Sequence, residues 1–262
     1  MNHVEKLRSK WERGELCFGT NVALIDAAVS ELIGEIGYDL VWIDMEHSAM
    51  SLADALNHVR AARGAGAAAF IRVPSNDPVV VKPILELHPA GVILPRISSV
   101  EDAERAVTSC RYPPRGQRGF GPARGCRFGQ IGGSDYLDGI DEQLLVILQI
   151  EHIDAVNQIE AVLKVEGVDS VVTGPSDLSA TMGLHGQPGH ADVIAAIRNV
   201  YEAAIAKGIP AGHSTDYDPE GIRPWLNMGL SWICVDGDWH SLVKQAKRAL
   251  DGMHAIQAQG RG

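Results

Sequence analysis

Residues 37–74 read GYDLVWIDMEHSAMSLADALNHVRAARGAGAAAFIRVP, and this stretch decides the fold. Its run at 40–44 is apolar without alternation, and a second run of the same kind stands at 68–73. Short unalternating runs rich in Val, Ile and Leu mark parallel strands buried on both faces. Between them, 51–65 reads as a helix that a cap at Ser51 opens and Gly64-Ala65-Gly66 closes.

Outward from this unit the pattern repeats. Further runs stand at 16–19, 91–95, 144–150, 170–173, 209–212 and 231–235. Helical patterns stand at 79–87, after Asp77-Pro78, and at 99–110, with Glu101, Asp102 and Glu104 in its first turns. Others stand at 155–165, 191–207, 219–228 and 241–257. Eight strands alternating with helices in 262 residues is the arithmetic of an α/β, (β/α)8 TIM-type barrel, one domain over 1–262. The rival is a doubly wound open sheet. It is weakened because no Gly-x-Gly-x-x-Gly follows the first run. The one long irregular stretch, 111–139, is expected to be functional or a surface excursion.

The net charge of −10, with no Lys/Arg cluster in the sequence, argues against a nucleic-acid groove. No apolar run approaches the ~18 residues of a membrane span, and the N-terminus lacks the pattern of a signal peptide. The four cysteines match no zinc spacing and are expected to be free thiols in a reducing compartment, which places the protein in the cytoplasm.

Polar residues at strand C-terminal ends point into a barrel's active site. Those ends carry Asp44, Glu46 and His47 after the second run, Arg72 in the third, Gln149 and Glu151 at the fifth, and Gly174, Ser176 and Asp177 after the sixth. Hard oxygen donors suit Mg²⁺ or Mn²⁺, which take one or two protein carboxylates and leave room for water and substrate. Glu151 and Asp177 would supply them from adjacent strands. A 2-oxo acid chelating that cation would be polarised at its carbonyl. Arg72 would add positive charge at the same oxygen, and His47 would move the proton. No lysine sits at these ends, which counts against Schiff-base chemistry. Each residue also has an ordinary structural explanation: Asp177 as a helix cap, Asp44 and Arg72 as an ion pair, His47 as a loop residue.

The segments 43–47, 71–74, 76–78, 112–119, 149–151 and 174–179 together resemble the class II pyruvate aldolases, the relatives of 4-hydroxy-2-oxoheptanedioate aldolase and 2-keto-3-deoxy-L-rhamnonate aldolase. The similarity runs in order from about Gly19 to about Leu250. It implies a barrel of the phosphoenolpyruvate/pyruvate superfamily that binds a 2-oxo acid and an aldehyde. It implies Mg²⁺, Mn²⁺ or Co²⁺ on Glu151 and Asp177, and His47 as a base working through a water on the metal. Arg72 would sit on the pyruvyl oxygen, Gln149 and the 174–176 turn on the pyruvate side with the Ser176 amide on its carboxylate, and Asp44 as a further carboxylate. It also implies a homo-oligomer, a hexamer built as a trimer of dimers, with the last helix, 241–257, exchanged between neighbours and a second subunit able to complete the site. The aspartate that orients the base in these aldolases corresponds to Glu86 here, one methylene longer. His88-Pro89 replaces a glycine-containing turn, His152 replaces a small polar residue, and 119–122 is placed to line the aldehyde pocket.

The expected reaction is cleavage of a 4-hydroxy-2-oxo acid to pyruvate or hydroxypyruvate and an aldehyde. The alternatives are a CoA-dependent citryl- or malyl-CoA-type lyase of the same superfamily and a catalytically silent binding barrel.

Overall fold

The computed structural model describes residues 3–259. In chain order its elements are α1 (His3–Glu12), β1 (Cys17–Val22), α2 (Ala28–Ile36), β2 (Leu40–Asp44), α3 (Leu52–Gly64), β3 (Ala68–Arg72), α4 (Pro78–Leu85), β4 (Gly91–Ile97), α5 (Val100–Cys110) and α6 (Gly133–Ile140). There follow β5 (Leu145–Ile150), α7 (Ile153–Asn157), α8 (Ile159–Val162), β6 (Ser170–Thr173), α9 (Pro175–Thr181), α10 (Ala191–Ala206), β7 (Ala211–Thr215), α11 (Pro219–Leu226), β8 (Trp232–Gly237) and α12 (Asp238–Gln259). The eight strands form a closed parallel barrel in sequence order, β8 pairing back to β1.

Strand parity builds two apolar layers. Val41, Ile43, Ala69, Ile71, Val146 and Leu148 face outward and pack with the helices. Leu40, Trp42, Ala68, Phe70, Leu145, Ile147, Val172 and Trp232 face inward and fill the barrel. Trp232 meets the Trp42 and Phe70 rings edge-on, at 6.1 and 5.8 Å, and donates its Nε1–H to Ser170 Oγ at 3.0 Å. A Cβ on Gly212 would collide with the Trp232 ring, so glycine there is the space that the indole occupies. Below, α1 closes the barrel: Val4 and Leu7 join the inner cluster, and Lys10 pairs with Asp39 at 2.7 Å.

Three features depart from the sequence reading. The 155–165 helix is two short ones, broken at Gln158, whose φ of −112° lies outside the helical range. The 111–139 stretch contains α6 and a small core of its own, Tyr112, Cys126, Tyr136 and Ile140. The helices α1, α2 and α9 stand where the sequence reading placed none. α9 has only seven residues, and α1 buries just Val4 and Leu7. The four cysteines are free and buried. Among the described residues, no helix is long and apolar enough to cross a membrane.

Candidate functional site

The inward series that fills the barrel continues upward as polar residues. Leu40 and Trp42 lead to Asp44, Ala68 and Phe70 to Arg72, and Leu145 and Ile147 to Gln149 and then Glu151. The floor of the mouth is therefore polar chemistry set on a solid apolar plug. Asp44 and Arg72 are register partners across β2 and β3. Arg72 donates from Nε and Nη2 to the two Asp44 oxygens at 2.9 and 2.6 Å. Its Nη1 lies 3.2 Å from Glu46 Oε2, and its guanidinium stands 5.4 Å from the Trp42 ring centroid. Asp44 Oδ1 also accepts from the Glu46 and His47 amides at 3.0 and 3.3 Å, fixing the turn that carries His47. Burial opposes charge on Asp44. Arg72 and those two amides outweigh it and hold the carboxyl below its ordinary value. Burial likewise opposes charge on Arg72, but Asp44, Glu46 and Glu151 raise it.

Glu151 is buried at the centre of the site. Its Oε1 accepts from the Arg96 amide and its Oε2 from Gln149 Nε2, both at 2.5 Å. Arg96 adopts φ +59° to present that amide. A Cβ on Gly174 would run into Glu151 Oε2 and stand 2.9 Å from Gln149 Nε2, so the glycine after β6 is what lets this carboxylate sit here. Burial, opposed by the Arg96 N–H and reinforced by Glu46 and Asp177, pushes Glu151 up to about 7. Glu46 is raised as well, first by burial, against Arg72 and His47, with Asp44 and Asp177 adding to the rise. Three carboxylates thus crowd one space. Asp177, in the first turn of α9, makes no hydrogen bond or ion pair among the described residues, so its helix-cap explanation does not hold.

The mouth divides into two cavities that share His47. One, about 580 Å³, is bordered by Glu46, His47, Arg96, Glu151, His152 and Asp177. The other, about 450 Å³, is bordered by Asp44, His47, Arg72, Ser176, Trp239 and His240. The His47 ring is exposed, with Nε2 3.8 Å from Glu46 Oε2. His152 caps α7, its Nδ1 accepting from the Asp154 amide.

The residues fit a hard divalent cation. Gln149 Oε1 is buried without a hydrogen-bond partner, Glu46 Oε2 faces only the Arg72 guanidinium and the His47 ring, and Glu151 sits among like charges that a cation would neutralise. Among the described residues, no group of three or more His, Cys, Asp or Glu side chains is placed to hold a metal ion by itself. A sign follows for ion-free protein. The folded state holds the Glu151 proton that the unfolded chain releases near 4.5, so this group's stabilisation is full below pH 4.5 and falls away as pH rises to about 7. Urea midpoints of chelator-stripped protein at pH 5 and pH 8 should reveal that slope, up to ~1.4 kcal/mol per pH unit. Glu151→Gln should remove it, and identical slopes in the two proteins would refute the assignment.

Two expected placements are corrected. Glu86 is not beside His47 within one chain. It caps the C-terminus of α4, at the opposite end of the barrel, and pairs with Arg118 at 3.1 Å. The following strand starts at Gly91, so a residue before it lies at the strand-N-terminal end whatever its chemistry. The 119–122 stretch borders neither mouth cavity; Phe120 packs on Tyr112, ring centroids 5.8 Å apart. Sequence reasoning quoted Glu46 without assigning it a role and missed Arg96. Glu46 stood in plain view beside His47, whereas Arg96 enters through a backbone N–H that no side-chain pattern records.

A parallel barrel with a carboxylate-lined mouth and a buried guanidinium is the frame of a barrel enzyme that handles small anionic substrates. The HpcH/HpaI aldolase/citrate lyase family model matches residues 18–232, and the chain belongs to that family. It is 33% identical over 217 residues to 5-keto-4-deoxy-D-glucarate aldolase of Escherichia coli O139:H28, covering 82% of this chain and 84% of that one. It resembles the HpcH/HpaI aldolase from Desulfitobacterium hafniense DCB-2, with TM-score 0.86, 28% identity and 96% of each chain covered. A family protein from Burkholderia cenocepacia J2315 has the same TM-score at 29% identity, over 95% of this chain and 99% of that one. The protein is an enzyme of the class II pyruvate aldolase type, a type that works with a divalent metal.

Proposed function

We propose that the enzyme cleaves 4-hydroxy-2-oxo acids reversibly to pyruvate, or hydroxypyruvate, and an aldehyde, with Glu151 and Asp177 holding Mg²⁺, Mn²⁺ or Co²⁺. The observation that carries this reading is Glu151, a buried carboxylate kept near neutrality beside an unpartnered Asp177 and within the field of Arg72. When bound, the cation supplies Lewis acidity at the 2-oxo group. The chain's own residues do the rest. Arg72, locked by Asp44, presents fixed positive charge where negative charge develops on the pyruvyl oxygen as the C3–C4 bond breaks. His47 Nε2 takes the 4-hydroxyl proton and returns one to C3. The Ser176 amide, in the unpaired first turn of α9, receives the pyruvate carboxylate.

The aldehyde end faces Arg96, whose guanidinium borders the larger cavity without a carboxylate partner among the described residues. That favours an aldehyde bearing its own carboxylate. A panel of acidic and neutral aldehydes with pyruvate, run with EDTA, with added metal and beside CoA thioesters, tests the reading. Metal-dependent adducts favouring acidic aldehydes by about tenfold or more are expected. Adduct formation that survives EDTA, or cleavage of CoA thioesters alone, would overturn it.

The same reading includes a homo-oligomer. α12 buries none of its residues, yet Trp239, Leu242, Val243, Ala246, Leu250, Met253 and Ile256 line one stripe of it. Leu32 and Ile36 of α2 lie bare, 57% and 67% exposed, on the helix that follows β1. A second copy's α12 laid on that surface buries both faces. Light scattering should find an oligomer, with a hexamer the expected mass, and a Leu242→Asp/Leu250→Asp variant should fall to monomers. A monomeric native chain would refute the exchange.

A further inference from the structure

The stretch 111–139 is not absorbed by the aldolase site, and it builds something at the other end of the barrel. A third cavity, about 580 Å³, opens there between the end of α3, the turn before β4 and the loop preceding α6. The fold brings Arg63, at the end of α3, to Arg124 and Arg127 of the arginine-rich 111–127 stretch, and the three border this cavity with His3 and His88. The net charge of the chain is −10, so positive charge gathered here stands against the background.

None of the three guanidiniums has an ion pair or side-chain hydrogen bond among the described residues. Arg124 is half-buried, and its Nε is sealed from solvent without a partner. A buried donor in that state costs free energy until an acceptor arrives. Burial and then Arg127 push Arg63 below its ordinary value; burial, Arg63 and Arg60 do the same to Arg124. His88, at φ +57°, is held neutral, at about 4, by burial and then by Arg63, Arg118 and Arg124. Asp135 is the one carboxylate on the rim.

Two placements separate this cavity from features already described. The apolar plug lies between it and the mouth. In the barrel order it sits by β3 to β5, across from β8 and β1, where α12 is attached.

We propose that this cavity binds a phosphate-bearing small molecule, its phosphoryl oxygens held by the Arg63, Arg124 and Arg127 guanidiniums with the His88 ring at the wall. Phosphate suits three guanidiniums bordering one cavity because it offers several charged acceptors to planar donor forks. Inorganic phosphate and a phosphate monoester share this chemistry.

Calorimetry and thermal unfolding of the full chain with inorganic phosphate, pyrophosphate and ribose 5-phosphate, against succinate, provide the test. A phosphate ligand at ~100 times its Kd should raise Tm by about 5 °C, and succinate should not. Tighter binding of ribose 5-phosphate than of inorganic phosphate points to a phosphorylated metabolite, and equal binding to the free anion. Arg63→Gln and Arg124→Gln should each weaken binding at least about tenfold while aldol cleavage stays unchanged. Arg63 is exposed, so its variant leaves the core intact. Glu151→Gln should bind phosphate as the native chain does. No shift with any phosphate, or a shift indifferent to both arginine variants, overturns the proposal. So does a fall in oligomeric mass in the arginine variants without phosphate binding, since these guanidiniums would then answer carboxylates of a second copy.

Discussion

Glu151→Ala should lose aldol cleavage by about 10³-fold in kcat, and with it the calorimetric signature of Mn²⁺ binding. The expectation rests on what converges on this carboxylate. Both oxygens are engaged, by the Arg96 amide and by Gln149 Nε2, so the group is aimed before any ligand arrives. Truncation removes the anion and also strands two buried donors, at ~1–3 kcal/mol each. Glu151→Gln separates these effects. Its amide oxygen can still accept from the Arg96 N–H, so the fold should hold, while the charge a divalent ion needs is gone. Normal turnover by the Glu151→Gln enzyme would sink the metal assignment. Unfolding of the Glu151→Ala enzyme, with the Glu151→Gln enzyme folded but inactive, would support it.

The second large effect belongs to Arg72. Arg72→Lys should lower kcat by about 10²-fold, because a single ammonium cannot reproduce a fork that holds both Asp44 oxygens while reaching Glu46. Arg72→Ala should do more harm to stability than to shape. Asp44 is buried, and removing its partner leaves an unpaired charge, at ~3–5 kcal/mol. Asp44 is held below its ordinary value, so its contribution is present at neutral pH and lost as pH falls through its folded value. The Arg72→Ala protein should therefore regain relative stability in acid. Urea midpoints at pH 7 and pH 4 measure this; an unchanged gap between native and variant at the two pH values would show that Asp44 is not the group involved.

The barrel was legible in the sequence because its strands are buried on both faces, and each run of Val, Ile and Leu announces itself without a partner. Asp44, Arg72, Gln149 and Glu151 were legible for the same reason: they break those runs at the strand ends. Glu86 was placed by similarity alone, and chain direction puts it at the wrong end of the barrel to touch His47 in one chain. Gly174 was picked out at its strand end, though not for the space it leaves to Glu151. Arg96 acts through a backbone amide, which a pattern of residue types does not register. The arginine cavity was invisible because Arg63 and Arg124 lie 61 positions apart and only tertiary folding brings them together.

The ring-packed interior sets a rule of traffic. Trp42, Phe70 and Trp232 leave no tunnel, so this vessel has one door. On the reaction proposed above, whatever Arg72 and Glu151 grip at the floor should stay until the fragment above it has gone. Product-inhibition kinetics should then show the three-carbon product, rather than the aldehyde, competing with fresh substrate for the empty enzyme.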